Sequence, residues 1–325
     1  MKSFHDLMKH SPFILLVALT FLSYSCSDSD DPVDPFHIEG INYDNFPVID
    51  TSTSTGSIGV IFACKLLNLD YQWHQSLDGL WYMSPNYDKI PTNFISNHIK
   101  SSKTHNSIVN LIDKNADFVI SARKLSPDEE TYANQKGIVI KEYPIALDAF
   151  IFLLNQDNPI KSLTIKQIQD IYIGKIKNWK ELGGQDLDIT PYIRNENSGS
   201  QELMESLVME ELKMPEWTVE WSGDIISSMM PVFTTLRTDK SGICYSVNYY
   251  KENLIRDTNL NTIAVNGVTA EKKTIKDRTY PLVAEIYAMI RQDTDKESMA
   301  YKLFELVQTP ATKAVIEESR HVYYE

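Results

Sequence analysis

"FPVIDTSTSTGSIGVIFACKLL" (residues 46–67) decides the fold. Its first five residues form a short apolar strand pattern. "TSTSTGS" (51–57) is then small and polar, with four consecutive hydroxyl side chains over Ser52–Thr55, and Ile58, Ile61, Phe62 and Leu66 follow at helical spacing. The order is strand, polar loop, helix. It returns in "SSKTHNSIVNLIDKNADFVISARKLSPDEE" (101–130), as a polar loop, a helix predicted over Ile108–Ile112 and a strand over Asp117–Ser121. Ser126-Pro127-Asp128-Glu129 then reads as an N-cap with proline at the first helical position and acids in the first turn.

The pattern continues to the end of the chain. "IVIKEYPIALDAFIFLLN" (138–155) is long enough for two strands, or for one that crosses between domains. In "SLTIKQIQDIYIGKIKNWKEL" (162–182), Ser162 or Thr164 caps a predicted helix that carries Ile165, Ile168 and Ile171 and stops at Gly174. "DLDITPYIR" (186–194) and "YPLVAEIYAMI" (280–290) read as strands, 221–250 as helix, turn and strand, and 296–319 as a helical stretch broken near Pro310. This alternation predicts an α/β protein with mainly parallel sheets. The aromatic-rich residues 71–97 fit either a core with a surface excursion or a partner-facing patch.

The chain has 325 residues, 42% hydrophobic and 23% charged, which suffices for two cores. A formal charge of −13 argues against a face for nucleic acid or an anionic membrane. Cys26, Cys64 and Cys244 have no CxxC spacing, so no metal or redox motif is present and no cofactor is expected; Cys64 and Cys244 fit small buried thiols. Lys2 and Lys9 precede the apolar "PFILLVALTFL" (12–22), which has signal-peptide length, and "SYSC" ends at Cys26. This looks like a bacterial lipoprotein signal over 1–25 with Cys26 as the lipidated residue, although Leu22 sits one place early; ordinary secretion with a free cysteine is the alternative. Residues 26–45 hold a dense acidic run and two prolines and read as a solvated tether.

"RNENSGSQELMESL" (194–207) carries the chemistry. Ser198 and Gln201 have capping-box spacing, and Leu203, Met204, Leu207 and Val208 give one apolar face, so a helix starts at Ser198. A helix start leaves amide hydrogens unsatisfied and carries partial positive charge. Gly199 keeps no side chain between those amides and an oxyanion, Ser198 and Ser200 offer hydroxyls, and the planar fork of Arg194 fits two oxygens of a phosphate or carboxylate. A well-capped helix with a surface arginine has the same spacing. The 51–57 and 101–107 loops, and the strand end "SAR" (121–123) with its second arginine Arg123, make convergence on one anion the more specific expectation. His105 fits a solvent-facing or loop-bracing role.

With those residues in view, the chain resembles the PstS-type phosphate-binding proteins of ABC transporters. "NQDNPIKSLTIKQIQDIYIGKIKNWKELGG" is similar to their Asn-Pro, Leu-Thr, Ile-Tyr-x-Gly-x-Ile-x-x-Trp stretch, "ADFVISARKLSPDE" to their Ser-Arg-Pro-Leu strand end, "RNENSGSQELM" to their Arg-x-x-x-Ser-Gly-Thr loop and "SGICYSV" to their Gly-Ile-Gly-Tyr strand. The resemblance covers about residues 47 to 320 and implies a two-domain type II periplasmic-binding-protein fold with a ligand cleft between domains joined by crossing strands. Domain I would hold 46–144 plus 248–325 and domain II 145–247, with the hinge near 145 and 247. Phosphate contacts would fall on Ser52, Thr53, Ser54, Thr55, Ser121, Arg194, Ser198, Gly199 and Ser200, with Arg123 a further candidate. Ser200 replaces the family's threonine and keeps the hydroxyl. Some members carry an Asp after the serine at Ser121, where this chain has Ala122; Asp50 and Asp148 are possible substitutes, Asp148 also fitting a structural role.

The resemblance implies an extracytoplasmic, monomeric lipoprotein that closes on inorganic phosphate and delivers it to the membrane subunits of an ABC transporter. Its place would be the cell envelope, periplasmic or on the outer-membrane surface. Rival expectations are a binder of another oxyanion such as sulfate, a binder of a small organic anion, or a phosphate sensor on the same fold. An enzyme is not expected, because no HExxH or GxSxG motif occurs.

Overall fold

The computed structural model describes residues 34–77, 79–215, 219–221 and 230–325. The expected signal (1–25) and Cys26 lie outside the described residues. Strand β1 (Ile49–Thr51) passes through a 3-10 turn (Thr53–Thr55) into α1 (Gly56–Leu66). The hairpin β2 (Tyr71–Gln75) and β3 (Trp81–Pro85) follows, then α2 (Phe94–His98) and β4 (Ile99–Lys100). Next come α3 (Thr104–Ile112), β5 (Phe118–Ser121) and α4 (Pro127–Lys136). Helix α3 starts ahead of the predicted Ile108 because its first turn is polar and leaves no apolar periodicity to detect. Residues 138–155 form one strand, β6 (Ile140–Asn155).

After β7 (Ser162–Leu163), the cap of α5 (Ile165–Tyr172) is Thr164, which forms a full capping box with Gln167. The chain continues through β8 (Thr190–Arg194), α6 (Gly199–Met204), β9 (Val219–Trp221), α7 (Met230–Thr238) and β10 (Gly242–Val247). Strands β11 (Leu260–Thr262) and β12 (Ala264–Val265), helix α8 (Lys272–Lys276) and strand β13 (Val283–Arg291) follow. The chain ends with α9 (Met299–Leu306), α10 (Thr312–Glu318) and β14 (Val322–Tyr323).

The main sheet has the order β4-β1-β5-β13-β6-β10-β8-β9, with β11 and β14 also paired to β6. It is mixed, which corrects the expectation of mainly parallel sheets. The flanks β4-β1-β5 and β10-β8-β9 are parallel, whereas β6 runs antiparallel to both β13 and β10. Local βα alternation predicts the parallel flanks but carries no sign that a strand from the far end of the chain returns beside β6.

Strand β6 supplies two cores. Its Ile145 and Ala146 pack with Ile49, Phe62, Phe118 and Ile286, while Phe150–Leu154 pack with Ile168, Tyr172, Trp179, Phe233 and Tyr245. The unbroken apolar run reflects a strand covered on both faces. The acidic tether ends earlier than 45: Phe36 and Ile38 are buried, and the Phe36 ring lies 4.8 Å from Phe62. Surrounding acids masked these two anchors in the composition. In the aromatic segment, Met83 and Phe94 are buried and Tyr82 and Tyr87 exposed, and Arg320 and Arg256 cover the Trp73 and Trp81 rings at 4.2 and 3.7 Å. Cys64 and Cys244 are buried free thiols, and burial pushes the Cys64 thiol up to about 12.

Candidate functional site

Three strand-to-helix loops open on one cleft of about 370 Å³. Thr53 and Ser54 line it after β1, Lys103–Asn106 at the start of α3, and Arg194–Ser200 between β8 and α6; Ala122, Ser246 and Tyr250 help complete the walls. Asp50 builds the second loop. Its Oδ1 accepts from the amides of Thr51 (2.8 Å) and Ser102 (2.9 Å), and its Oδ2 accepts from Asn110 Nδ2 (2.7 Å). Asp50 is therefore committed to the scaffold, which corrects its candidacy as acceptor for a ligand proton. The residue after Ser102, Lys103, sits at φ 71°, ψ 168°, a region nearly confined to glycine. Such strain costs of order 1–3 kcal/mol and persists only where the flanks are fixed.

The third loop is organised around Gln201. Ser198 caps α6 as predicted, its Oγ accepting from the Gln201 amide (3.1 Å). The return half of the capping box is diverted: Gln201 Oε1 accepts from the Arg194 amide (3.0 Å) and from the Tyr245 hydroxyl. Gln201 thus fixes the strand end that carries Arg194. The arginine is 5% exposed, and burial lowers its pKa from the usual guanidinium value, yet a guanidinium stays charged in proteins. Helix α6 runs on into a π-helical turn (Glu205–Met209). A Cβ on Gly199 would lie 2.4 Å from Thr104 Oγ1, so the second and third loops touch across the cleft at a place where any side chain would force a shift.

Of the predicted site residues, Thr53, Ser54, Arg194, Ser198, Gly199 and Ser200 line the cleft. Ser52, Thr55, Ser121 and Arg123 are not among the lining residues, and their side chains bond to the scaffold. The Ser52 Oγ accepts from the Ala122 amide (3.0 Å), Thr55 Oγ1 donates to the Ile120 carbonyl (2.6 Å), and Ser121 Oγ donates to the Arg123 carbonyl (2.6 Å). The first two bonds join the first loop to the end of β5, and the third turns the chain just beyond it. Arg123 forms a two-pronged pair with fully buried Glu129, at 2.7 and 2.9 Å. Burial opposes the charge on Glu129, but hydrogen bonds from Arg123, His105 and the Ser126 amide outweigh it and hold the carboxyl at about 2. Asp148 is not among the cleft-lining residues. Its Oδ1 accepts from the Ala149 and Tyr249 amides, and burial pushes its carboxyl up to about 7. Lys103, Thr104 and Tyr250 were not anticipated individually. The 101–107 loop was legible as a loop, but nothing local marks Tyr250.

A family model described as "PBP superfamily domain" (PBP_like_2) matches residues 76–318. The chain belongs to the PBP superfamily. Relatives of this PBP chain include a protein named phosphate-binding protein PstS of Staphylococcus epidermidis, 28% identical over 194 residues that cover 58% of each chain. Another is PstS of Borreliella burgdorferi, 26% identical over 273 residues, 81% of this chain and 93% of that one. The chain thus spans about 58% of the length of the staphylococcal relative it matches. Among solved structures, it is similar to a putative phosphate ABC transporter substrate-binding protein with bound phosphate from Clostridium perfringens. The TM-score is 0.61 at 20% identity, over 86% of this chain and all (100%) of that one. An ABC-type phosphate transport receptor from Vibrio cholerae gives 0.56 at 19% identity, over 85% and 99%. The PBP chain has the type II periplasmic-binding fold of these neighbours.

Proposed function

We propose that this chain is an extracytoplasmic solute-binding protein that captures inorganic phosphate in the cleft and delivers it to the membrane subunits of an ABC transporter. One observation carries the proposal: hydroxyl-bearing loops after β1, before α3 and before α6 face one cleft together with the buried cation Arg194. Helix starts and a guanidinium complement a tetrahedral oxyanion locally, whatever the sign of the net charge. The names of the staphylococcal and borrelial relatives and the bound phosphate of the clostridial neighbour support the same ligand.

Capture proceeds by hinge closure between a domain of 46–144 plus 248–325 and a domain of 145–247, with β6 crossing between them. Phosphate bridges donors from both and biases the closed form. Lys103, Thr53, Ser54, Arg194, Ser198, Gly199 and Ser200 are the contact set, and no covalent chemistry is assigned to the site. Cys26 is the lipid-anchor position, placing a monomer in the cell envelope, in the periplasm or at the outer-membrane surface. Titration calorimetry with phosphate and sulfate tests the proposal: saturable phosphate binding that Arg194→Ala removes supports it, and binding of neither anion refutes it.

A further inference from the structure

The cleft carries one ring whose hydrogen-bonding role is imposed from behind. His105 lines the cleft and is one-third exposed (33%), while its Nδ1 lies 2.9 Å from Oε1 of Glu129, whose side chain is fully buried. Glu129 also accepts from Arg123 Nη1 and Nη2 and from the Ser126 amide (2.8 Å). Held at about 2, its carboxyl is ionised at any pH near neutral and has no proton to give. The hydrogen in the His105–Glu129 bond must therefore come from Nδ1. In a neutral imidazole this leaves Nε2 with a lone pair and no hydrogen, an acceptor beside the hydroxyls, amides and cations that line the cleft.

Hydrogen phosphate differs from sulfate by one proton. A fixed acceptor takes a hydrogen bond from the first and meets only lone pairs on the second. Ala122, between Ser121 and Arg123, supplies no acceptor, and the carboxylate among the lining residues, Glu196, is exposed. We infer that His105 Nε2 accepts the proton-bearing oxygen of phosphate and sets the preference for phosphate over sulfate, with Glu129 as the positioning residue that fixes the tautomer. This rests on the reading of the cleft as a phosphate site. A hydroxyl can turn to donate or accept and so discriminates weakly, whereas a neutral ring keeps Nε2 an acceptor while its Nδ1 donates to Glu129.

Titration calorimetry of the full chain with phosphate and with sulfate tests the inference. Wild type, His105→Ala, His105→Gln and Glu196→Gln are compared, with thermal melts confirming folding. His105→Ala should weaken phosphate roughly 10- to 100-fold and leave sulfate unweakened. His105→Gln, which retains an acceptor oxygen, should recover part of the loss. Equal losses for both anions, or a ratio that moves with Glu196→Gln and not with His105→Ala, overturn the inference. If wild type binds phosphate and His105→Ala keeps its ratio, this inference alone fails; if wild type binds neither anion, the phosphate reading fails with it.

Discussion

Gly199→Ala is a one-carbon test of the contact between the second and third loops. The added Cβ would lie 2.4 Å from Thr104 Oγ1, 3.1 Å from Thr104 Cβ and 3.5 Å from Thr104 Cγ2. A Cβ and a hydroxyl oxygen do not sit that close, so the Thr104 side chain must turn or the 103–106 and 198–200 loops must part. Overpacking of this size costs about 1–3 kcal/mol. If phosphate is held between the two loops, the cost falls on the bound form, and Kd should rise about 5- to 150-fold. Thermal melts would show whether the unliganded fold is also affected. In the double variant Gly199→Ala with Thr104→Ala the 2.4 Å and 3.5 Å partners are gone and the 3.1 Å approach remains, so most of the affinity should return. Unchanged phosphate affinity in Gly199→Ala, or a double variant no better than the single one, would refute the reasoning, because the loops would then not meet around the ligand.

Three further outcomes follow from buried charges. Arg194→Ala should weaken phosphate by about 2–5 kcal/mol in calorimetry, and Arg194→Lys by less, since lysine keeps the charge and loses the fork. Glu129→Gln leaves Arg123, only 6% exposed, without its carboxylate and should cost about 3–5 kcal/mol in urea unfolding. Because Glu129 is held low, at about 2, wild type should gain stability above the ordinary carboxylate range and lose it as pH falls toward 2, an acid transition the variant lacks. Asp148 has the opposite sign: raised from 3.8 to about 7, it makes wild type lose stability as pH climbs between those values, by up to about 4 kcal/mol. Asp148→Asn keeps an Oδ1 acceptor for the Ala149 and Tyr249 amides and should flatten that slope in denaturation curves.

The parts of this molecule written in local pattern were legible. The βα succession at 46–67, the Ser126 cap, a cap at Ser162 or Thr164, which the structure gives to Thr164, and the helix start at Ser198 all rest on neighbours within one or two turns. Partner choice over long distances was not legible. Arg123 looked as free to meet a ligand as Arg194, but Glu129, six residues on, claims it within a helix's first turn. Gln201 promised a capping-box return, and the Arg194 amide and Tyr245 hydroxyl took its oxygen instead. Phe36 and Ile38 were hidden among acids, and the antiparallel centre of the sheet depends on β13 arriving beside β6, which no local pattern encodes. Asp50 and Asp148 were both legible as buried-acid candidates, but only coordinates separate a scaffold carboxylate from a ligand acceptor.

The central claim is that three separate helix starts and one buried guanidinium enclose a single tetrahedral anion. A crystal structure of the chain grown with phosphate measures this directly. The account predicts one phosphate within hydrogen-bond distance of Arg194 and of at least one donor from each of the 53–54, 103–106 and 198–200 loops. Phosphate bound elsewhere, or a cleft without it under saturating ligand, would contradict the account.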